Sequence, residues 1–108
     1  MALREQSYLI LLALSEGSLH GYGVIKAVRE LSEGQVRLGA GTLYGALDRL
    51  AGDGLVIVAK EEVVSGRHRR YYELTGHGRQ VLAAETTRLA RLATTAQRRL
   101  SLQPGMGM

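Results

Sequence analysis

The run Tyr8-Leu9-Ile10-Leu11-Leu12-Ala13-Leu14 is apolar on every face of a helix. Its Leu and Ala content favours helix over strand, so a first helix is expected from about Arg4 to Ser15, ended by Glu16-Gly17-Ser18. A helix apolar all round needs cover on more than one side, and a second subunit is one source of that cover. A second helix is expected from near His20 to near Leu31, with Tyr22, Ile25, Ala27, Val28 and Leu31 marking its inner face. Gly21 and Gly23 lower helix propensity at its start. They fit either close packing against another helix or close approach of the backbone to a phosphate. Ser32 to Gly41 is too long for a minimal turn between helices, and Val36-Arg37-Leu38 alternates as a short strand would.

A third helix is expected from Gly41 or Thr42 to about Gly52. Leu43, Leu47 and Leu50 fall at i, i+4 and i+7 and make one apolar stripe flanked by Ala46, while Gly52-Asp53-Gly54 is a strong stop. A hairpin follows. Leu55 to Val64 is one arm, Ser65-Gly66 the turn and Arg67 to Leu74 the return, with Tyr72 and Leu74 expected to point inward. Thr75 is a good N-cap for a last helix that reaches towards Leu102, about 25 residues or about 38 Å. Leu82, Leu89, Leu92, Ala96 and Leu100 form a stripe along it, interrupted where Glu85 takes an apolar position. Three short helices and a hairpin are too small to cover so long a helix. It needs a partner, and self-association is the commonest.

The order of elements is helix, helix, short strand, amphipathic helix, hairpin, long helix. That is the order of a winged helix-turn-helix with a long C-terminal dimerisation helix: mainly α with a small β wing. The expected organisation is a DNA-binding domain over residues 1–75, a dimerisation helix over 76–102 and a disordered tail over 103–108. The third helix would enter the major groove of DNA. Tyr8 and Leu11 of the first helix are expected to join the stripe of the last one at the dimer interface.

Composition then shifts the weight towards a polyanionic partner. The 108-residue chain carries a net charge of +4, and that charge is uneven. Residues 1–54 balance at −1 and residues 55–108 at +5. The chain has no Cys, which excludes disulfides and Cys-ligated metal and fits a cytoplasmic protein. No signal pattern opens it, and its longest apolar run is far too short to span a bilayer. No cofactor or metal is expected: His20, His68 and His77 are scattered. Gly39-Ala40-Gly41 lacks the spacing and the βαβ setting of a dinucleotide fingerprint, and no nucleophile elbow is present, so an enzyme is not expected.

The densest positive charge is Arg67-His68-Arg69-Arg70 beside the hairpin turn, where a wing would meet phosphate or the minor groove. Gly41 and Thr42 open the third helix, where free N–H groups and the helix dipole favour a phosphate, and Thr42 could also cap the helix. Tyr44 offers a hydroxyl to phosphate or a base edge, or packs on the second helix. Arg49 reaches phosphate or pairs with Asp48 or Asp53. Tyr22 and Lys26 are weaker phosphate candidates. With few base-reading side chains on the third helix, phosphate and shape contacts are expected to carry much of the affinity.

Tyr8 to Leu14 followed by His20-Gly21-Tyr22-Gly23-Val24 resembles the opening of the PadR family. Gly41-Thr42-Leu43-Tyr44, then Leu47, Arg49-Leu50 and Gly54-Leu55-Val56, resembles its recognition helix and the step into its wing. Arg67 to Thr75 resembles its return strand, and Gly78-Arg79 with Leu82 its last helix. The resemblance covers about residues 3 to 100 and points to the short subgroup with one C-terminal helix. It implies a homodimeric regulator of transcription, a repressor on a pseudo-palindromic double-stranded DNA operator. It also implies a small-molecule effector at the dimer interface, held in some short members by a Trp that this chain lacks. By spacing, Thr87 takes the Trp place, with Arg91 one turn on and Leu9 and Ala13 facing the same space. Plain dimer packing is the alternative for these four residues. The rival reading of the whole chain is a ligand-binding or protein-interaction module of winged-helix fold that does not itself read DNA.

Overall fold

The structure is a computed structural model that describes residues 3–101. The chain runs through α1 (Glu5–Ala13), a 3-10 turn (Leu14–Glu16), β1 (Leu19–His20), α2 (Gly21–Leu31), α3 (Ala40–Gly52), β2 (Val56–Val64), β3 (Arg67–Leu74) and α4 (Gly76–Arg99). The strands form one antiparallel sheet in the order β1-β3-β2. The proposed tail at 103–108 lies outside the described residues, as does Leu102.

The core is built from the stripes that the sequence predicts, with two exceptions. Ile10 and Leu11 of α1, Leu43 and Leu47 of α3, and Leu55 and Val56 at the root of the wing are all buried. Tyr72 is buried as expected, and Leu74 is half-buried. The inner face of α2 differs from expectation. It is Gly21, Val24 and Val28, while Tyr22 is 73% exposed and Leu31 points out. The third strand also differs. Val36-Arg37-Leu38 forms no strand, and Leu19–His20 pairs with β3 instead. Two residues are too few for a period to show, and β1 is defined only by its neighbour.

Each turn has a local cause. Gly54, at φ +75°, ends α3 in a Schellman motif: its N–H bonds the Ala51 carbonyl, and the Leu55 N–H bonds that of Leu50. At the wing tip Ser65 and Gly66 both have positive φ, the mirror-image turn that matches the twist of a two-residue hairpin. Thr75 caps α4, its hydroxyl oxygen accepting the Gly78 N–H at 2.9 Å while donating to the Gly54 carbonyl at 2.6 Å. Gly78 is bare for a reason: a Cβ there would collide with the Leu55 carbonyl.

α4 has two halves. Gly78, Leu82 and Glu85 face the domain and are buried, after which the helix leaves it. Leu89 is 37%, Leu92 58% and Leu100 67% exposed, and Ala96 is exposed too. The molecule is accordingly long, 55 Å in its greatest dimension, with a radius of gyration of 16.0 Å. A compact chain of this length has about 13 Å. Leu11 and Leu82, expected at a dimer interface, instead lie in the protomer's own core, because α1 is covered by α2 and the first turns of α4. Tyr8 is half-buried, its hydroxyl 2.7 Å from Thr86 Oγ1 of the same chain.

Glu85, the break in the apolar stripe, is a buried tie. Its carboxylate accepts the Arg88 guanidinium through Nε at 2.7 Å and a second nitrogen at 2.8 Å, and the Leu3 N–H at 3.1 Å. Arg88, opposed in part by burial and helped by the Leu3 N–H, brings this carboxyl from 4.5 down to about 2. A depressed carboxyl stabilises the fold fully above its unfolded value and loses that contribution as pH falls through the folded one. Glu85→Gln should therefore lower the thermal midpoint at neutral pH, and the gap from the parent should close between pH 4.5 and about 2. A gap that persists unchanged to pH 2 would contradict this account.

Candidate nucleic-acid interface

α2, α3 and the wing meet around a groove of about 510 Å³. His20, Gly21 and Tyr22 line it from the start of α2, Tyr44 from α3, and Val64, Ser65 and Arg67 to Arg70 from the wing. Tyr22, Tyr44 and all four residues of the basic run, separate in sequence, thus come together. His20 was not among the expected site residues, because it reads as the opening of a helix. Its signal was its place directly before Gly21-Tyr22.

The two open alternatives around α2 resolve together. A Cβ on Gly21 would run into the Tyr44 hydroxyl and ring, so this glycine is bare to admit Tyr44. Tyr44 packs across α2 and still leaves 46% of itself exposed to the groove. At Gly23 the nearest neighbours are the rings and chains of His20 and Leu19, at ordinary contact distance.

Gly41 and Thr42 do not line the groove; both are exposed in the first turn of α3. α3 begins at Ala40 with Gly39 as its N-cap and no capping side chain. Thr42 is thus the third helical residue and not the cap, and its hydroxyl is exposed. The first N–H groups of α3 are left for an outside acceptor, the arrangement that suits a phosphate. Arg49 lies two turns on from Thr42 and Lys26 one turn on from Tyr22, both exposed outside the groove.

The wing cations differ in their freedom. Arg70 is paired with Glu61 at 2.9 Å across the hairpin. The other ion pairs among the described residues are Lys60 with Glu62 and Arg88 with Glu85. Arg67, His68 and Arg69 therefore face the groove without a carboxylate partner, and Arg49 pairs with neither Asp48 nor Asp53. Glu62 is held low by the Tyr71 hydroxyl that donates to it, with Lys60 adding to the effect.

The four residues expected to share a ligand space are not gathered by one protomer. Leu9 belongs to the core. Ala13 lines a separate groove between α1 and α2, together with Leu12, Leu19, Leu31, Glu16 and Glu30. Thr87 is exposed, and Arg91 lies with Ala90, Thr94 and Arg98 on the outer half of α4.

A helix pair with a free second-helix N-terminus, followed by a basic β-hairpin in which Arg67 and Arg69 are unpaired, is a winged helix-turn-helix. Residues 10–84 match the family model described as the transcriptional regulator PadR-like family, and the chain belongs to that family. It is 39% identical over 79 residues to the transcriptional regulator Rv3488 of Mycobacterium tuberculosis, covering 73% of this chain and 70% of that one. It is 41% identical over 93 residues to an uncharacterised 37.1 kDa protein in transposon TN4556 of Streptomyces fradiae. That match takes in 86% of this chain but spans only 25% of the relative's length. The fold is shared with Bacillus subtilis PadR solved in complex with operator DNA. The TM-score is 0.67 at 24% identity, over 75% of this chain and 46% of that one. No helix among the described residues is long and apolar enough to cross a membrane.

The contact between Gly21 and Tyr44 makes a prediction that depends on both residues. Gly21→Ala should destabilise the parent by about 1–3 kcal/mol, the cost of overpacking. In a Tyr44→Ala background the obstacle is gone, and the same change should be neutral or stabilise by up to about 0.5 kcal/mol, since Gly21 opens α2 and gains less than the interior helix propensity. Denaturant unfolding of the four proteins of the cycle measures it, and additive effects would contradict the packing.

Proposed function

We propose that this chain is a homodimeric, sequence-specific DNA-binding repressor that acts in the cytoplasm on a pseudo-palindromic operator. The observation that carries the reading is the groove. Tyr22, Tyr44 and the unpaired Arg67, His68 and Arg69 line it, and the free N-terminus of α3 with Gly41 and Thr42 belongs to the same helix as Tyr44. Lys26 and Arg49 extend that charged side, and Arg70 joins it when phosphate competes with Glu61. The chain up to Thr75 serves as the DNA-binding head and α4 as the dimerisation helix. α3 enters the major groove and the wing follows the backbone or the minor groove. Membership of a family of transcriptional regulators supports this, as does the fold shared with an operator-bound PadR.

Phosphate neutralisation makes affinity fall steeply with salt, by about 0.9 in logarithmic slope per phosphate contacted. The test is titration of a duplex from the chain's own promoter region at several salt concentrations. Arg67→Ala and Arg69→Ala should each weaken binding about tenfold and lower the slope by about one. A protein-interaction module of the same fold would show no duplex binding at low salt, and that result would sink the DNA reading.

Homodimerisation follows from the outer half of α4, which presents Leu89, Leu92, Ala96 and Leu100 to solvent on a helix that has left its own core. Tyr8 stands at the edge of the same surface. An effector would then sit between subunits, where Ala13, Thr87 and Arg91 of two protomers approach one another. With Thr87 in place of an aromatic, such a ligand is held without stacking. Sedimentation equilibrium at micromolar concentration should give twice the 11.7 kDa chain mass. Leu92→Asp should give the single mass with the head still folded, since Leu92 takes no part in the core. A parent protein that sediments as a monomer would overturn the dimer.

A further inference from the structure

The wing has a root and an arm. β1 pairs with β3 at two positions, Leu19 opposite Tyr72 and His20 opposite Tyr71. Outward of Tyr71, β3 pairs only with β2 among the described residues, as far as Arg67 opposite Val64. A two-stranded ribbon of this kind is marginal by itself and takes its direction from where it is anchored. The register shift in β2 falls between Val58 and Lys60, opposite Tyr72 and Tyr71. A bulge bends its strand and increases the local twist. Tyr71 therefore sits at the bend, at the last point where the arm is attached to the head.

Its side chain is held from three directions. The His20 ring meets it edge-on, with centroids 5.5 Å apart and planes at 62°. The Lys60 ammonium lies 4.7 Å from the ring centroid. The hydroxyl donates to Glu62 Oε1 at 2.7 Å, and the other Glu62 oxygen pairs with Lys60 at 3.4 Å. His20 is also the N-cap residue of α2. Tyr71 thus joins the arm of the wing directly to the helix-turn-helix.

Glu62 is an odd residue for this place. In the register it stands opposite Arg69, on the sheet face that also carries Arg67 and Tyr71. A carboxylate directly across a hairpin from a cation is its natural partner. Yet Glu62 and Arg69 form no ion pair among the described residues: Arg69 acts on the carboxylate only through space, while the Tyr71 hydroxyl and Lys60 hold it directly. One position along, where no tyrosine hydroxyl is bonded to the acid, the pair does form: Glu61 holds Arg70.

We propose that Tyr71 is a positioning residue for DNA binding, which fixes the angle of the wing arm and keeps Glu62 away from Arg69 so that Arg69 stays free for a backbone phosphate. This rests on the DNA reading above. Removing the hydroxyl releases Glu62 to Arg69 and exchanges a contact with phosphate for an internal pair. Neutralising Glu62 as well leaves Arg69 nothing to pair with and returns it to the DNA.

The experiment uses the full chain and a labelled duplex from its own promoter region, with fluorescence anisotropy at several salt concentrations. Tyr71→Phe keeps the ring against His20 and Lys60. It should weaken binding about tenfold and reduce the salt slope by about one, the signature of one lost phosphate. Tyr71→Phe/Glu62→Gln should bind as Glu62→Gln does, and Glu62→Gln at least as tightly as the parent. A purely structural role for Tyr71 predicts instead that Glu62→Gln rescues nothing. The Arg69 Nε–H resonance reads the exchange without DNA, shifting to that of a paired guanidinium in Tyr71→Phe and not in the double variant. Parent-like affinity and slope in Tyr71→Phe, or a loss that Glu62→Gln leaves in place, overturns the inference while the DNA reading stands. Absence of duplex binding by the parent at low salt is the distinct sign that the DNA reading has failed, and the inference falls with it.

Discussion

Three elements converge on Thr75, two of them through its hydroxyl. It donates to the Gly54 carbonyl just past the end of α3, and it accepts the Gly78 N–H in the first turn of α4. The Thr75 N–H meanwhile bonds the Leu55 carbonyl, and Gly78 lies against that same carbonyl so closely that any side chain would collide with it. The stop of α3, the root of the wing and the start of α4 are therefore one joint. Its consequence is directional. α3, which faces outward with an open N-terminus, and α4, which runs away from the core for half its length, are held at a fixed mutual angle by backbone-level contacts. In the proposed dimer the spacing of the two heads is inherited from this joint, because the end of the third helix and the start of the dimerisation helix are hydrogen-bonded through it.

The electrostatics of the chain depend on which cations are already spent. Arg88 is consumed by Glu85, whose carboxylate also anchors the N-terminal segment by accepting the Leu3 N–H, and Arg70 is paired across the hairpin. What remains towards the groove is Arg67, His68 and Arg69, with Lys26 and Arg49 beyond. An exposed pair such as Arg70 with Glu61 contributes little to stability, so it is easily given up when a phosphate competes. A bidentate pair on a buried carboxylate, such as Arg88 with Glu85, is not. The same residue types thus divide into structural and available charge by burial and geometry, which net charge alone does not reveal.

Much of this was legible in the sequence, and the misses share one cause. The stripes Leu43–Leu47–Leu50 and Leu82 onward, the Thr75 cap, the Ser65-Gly66 turn and the basic run were all readable because each is a local pattern with a local physical reason. Tyr22 falls with Ile25, Ala27, Val28 and Leu31 in the apolar pattern of α2, whereas the glycine beside it is what lies inside, cleared for Tyr44 of another helix. β1 was missed and a strand was placed at 36–38 because a two-residue strand exists only through its partner β3. Leu11 and Leu82 were put at an interface because a stripe does not say which part of it is already covered by its own chain. Each error concerns a relation between segments distant in sequence, which periodicity cannot carry. The separation of Glu62 from Arg69 is of the same kind, since it depends on a tyrosine two strand positions away.

The surface of α3 explains why such indirect arrangements matter here. Its outward positions include Gly41, Thr42 and Gly45, which offer little side chain to a base edge. A recognition helix so sparsely equipped gains affinity from phosphates and specificity from the shape it requires of the duplex. Shape readout depends on the distance between fixed points more than on any one contact. In the proposed dimer those points are the two helix N-termini, set apart by α4, and the two wing arms, set by the bend at Tyr71. Contacts that never touch DNA, at Thr75 and at Tyr71, then decide which duplexes fit, and discrimination is distributed into the joints of the fold.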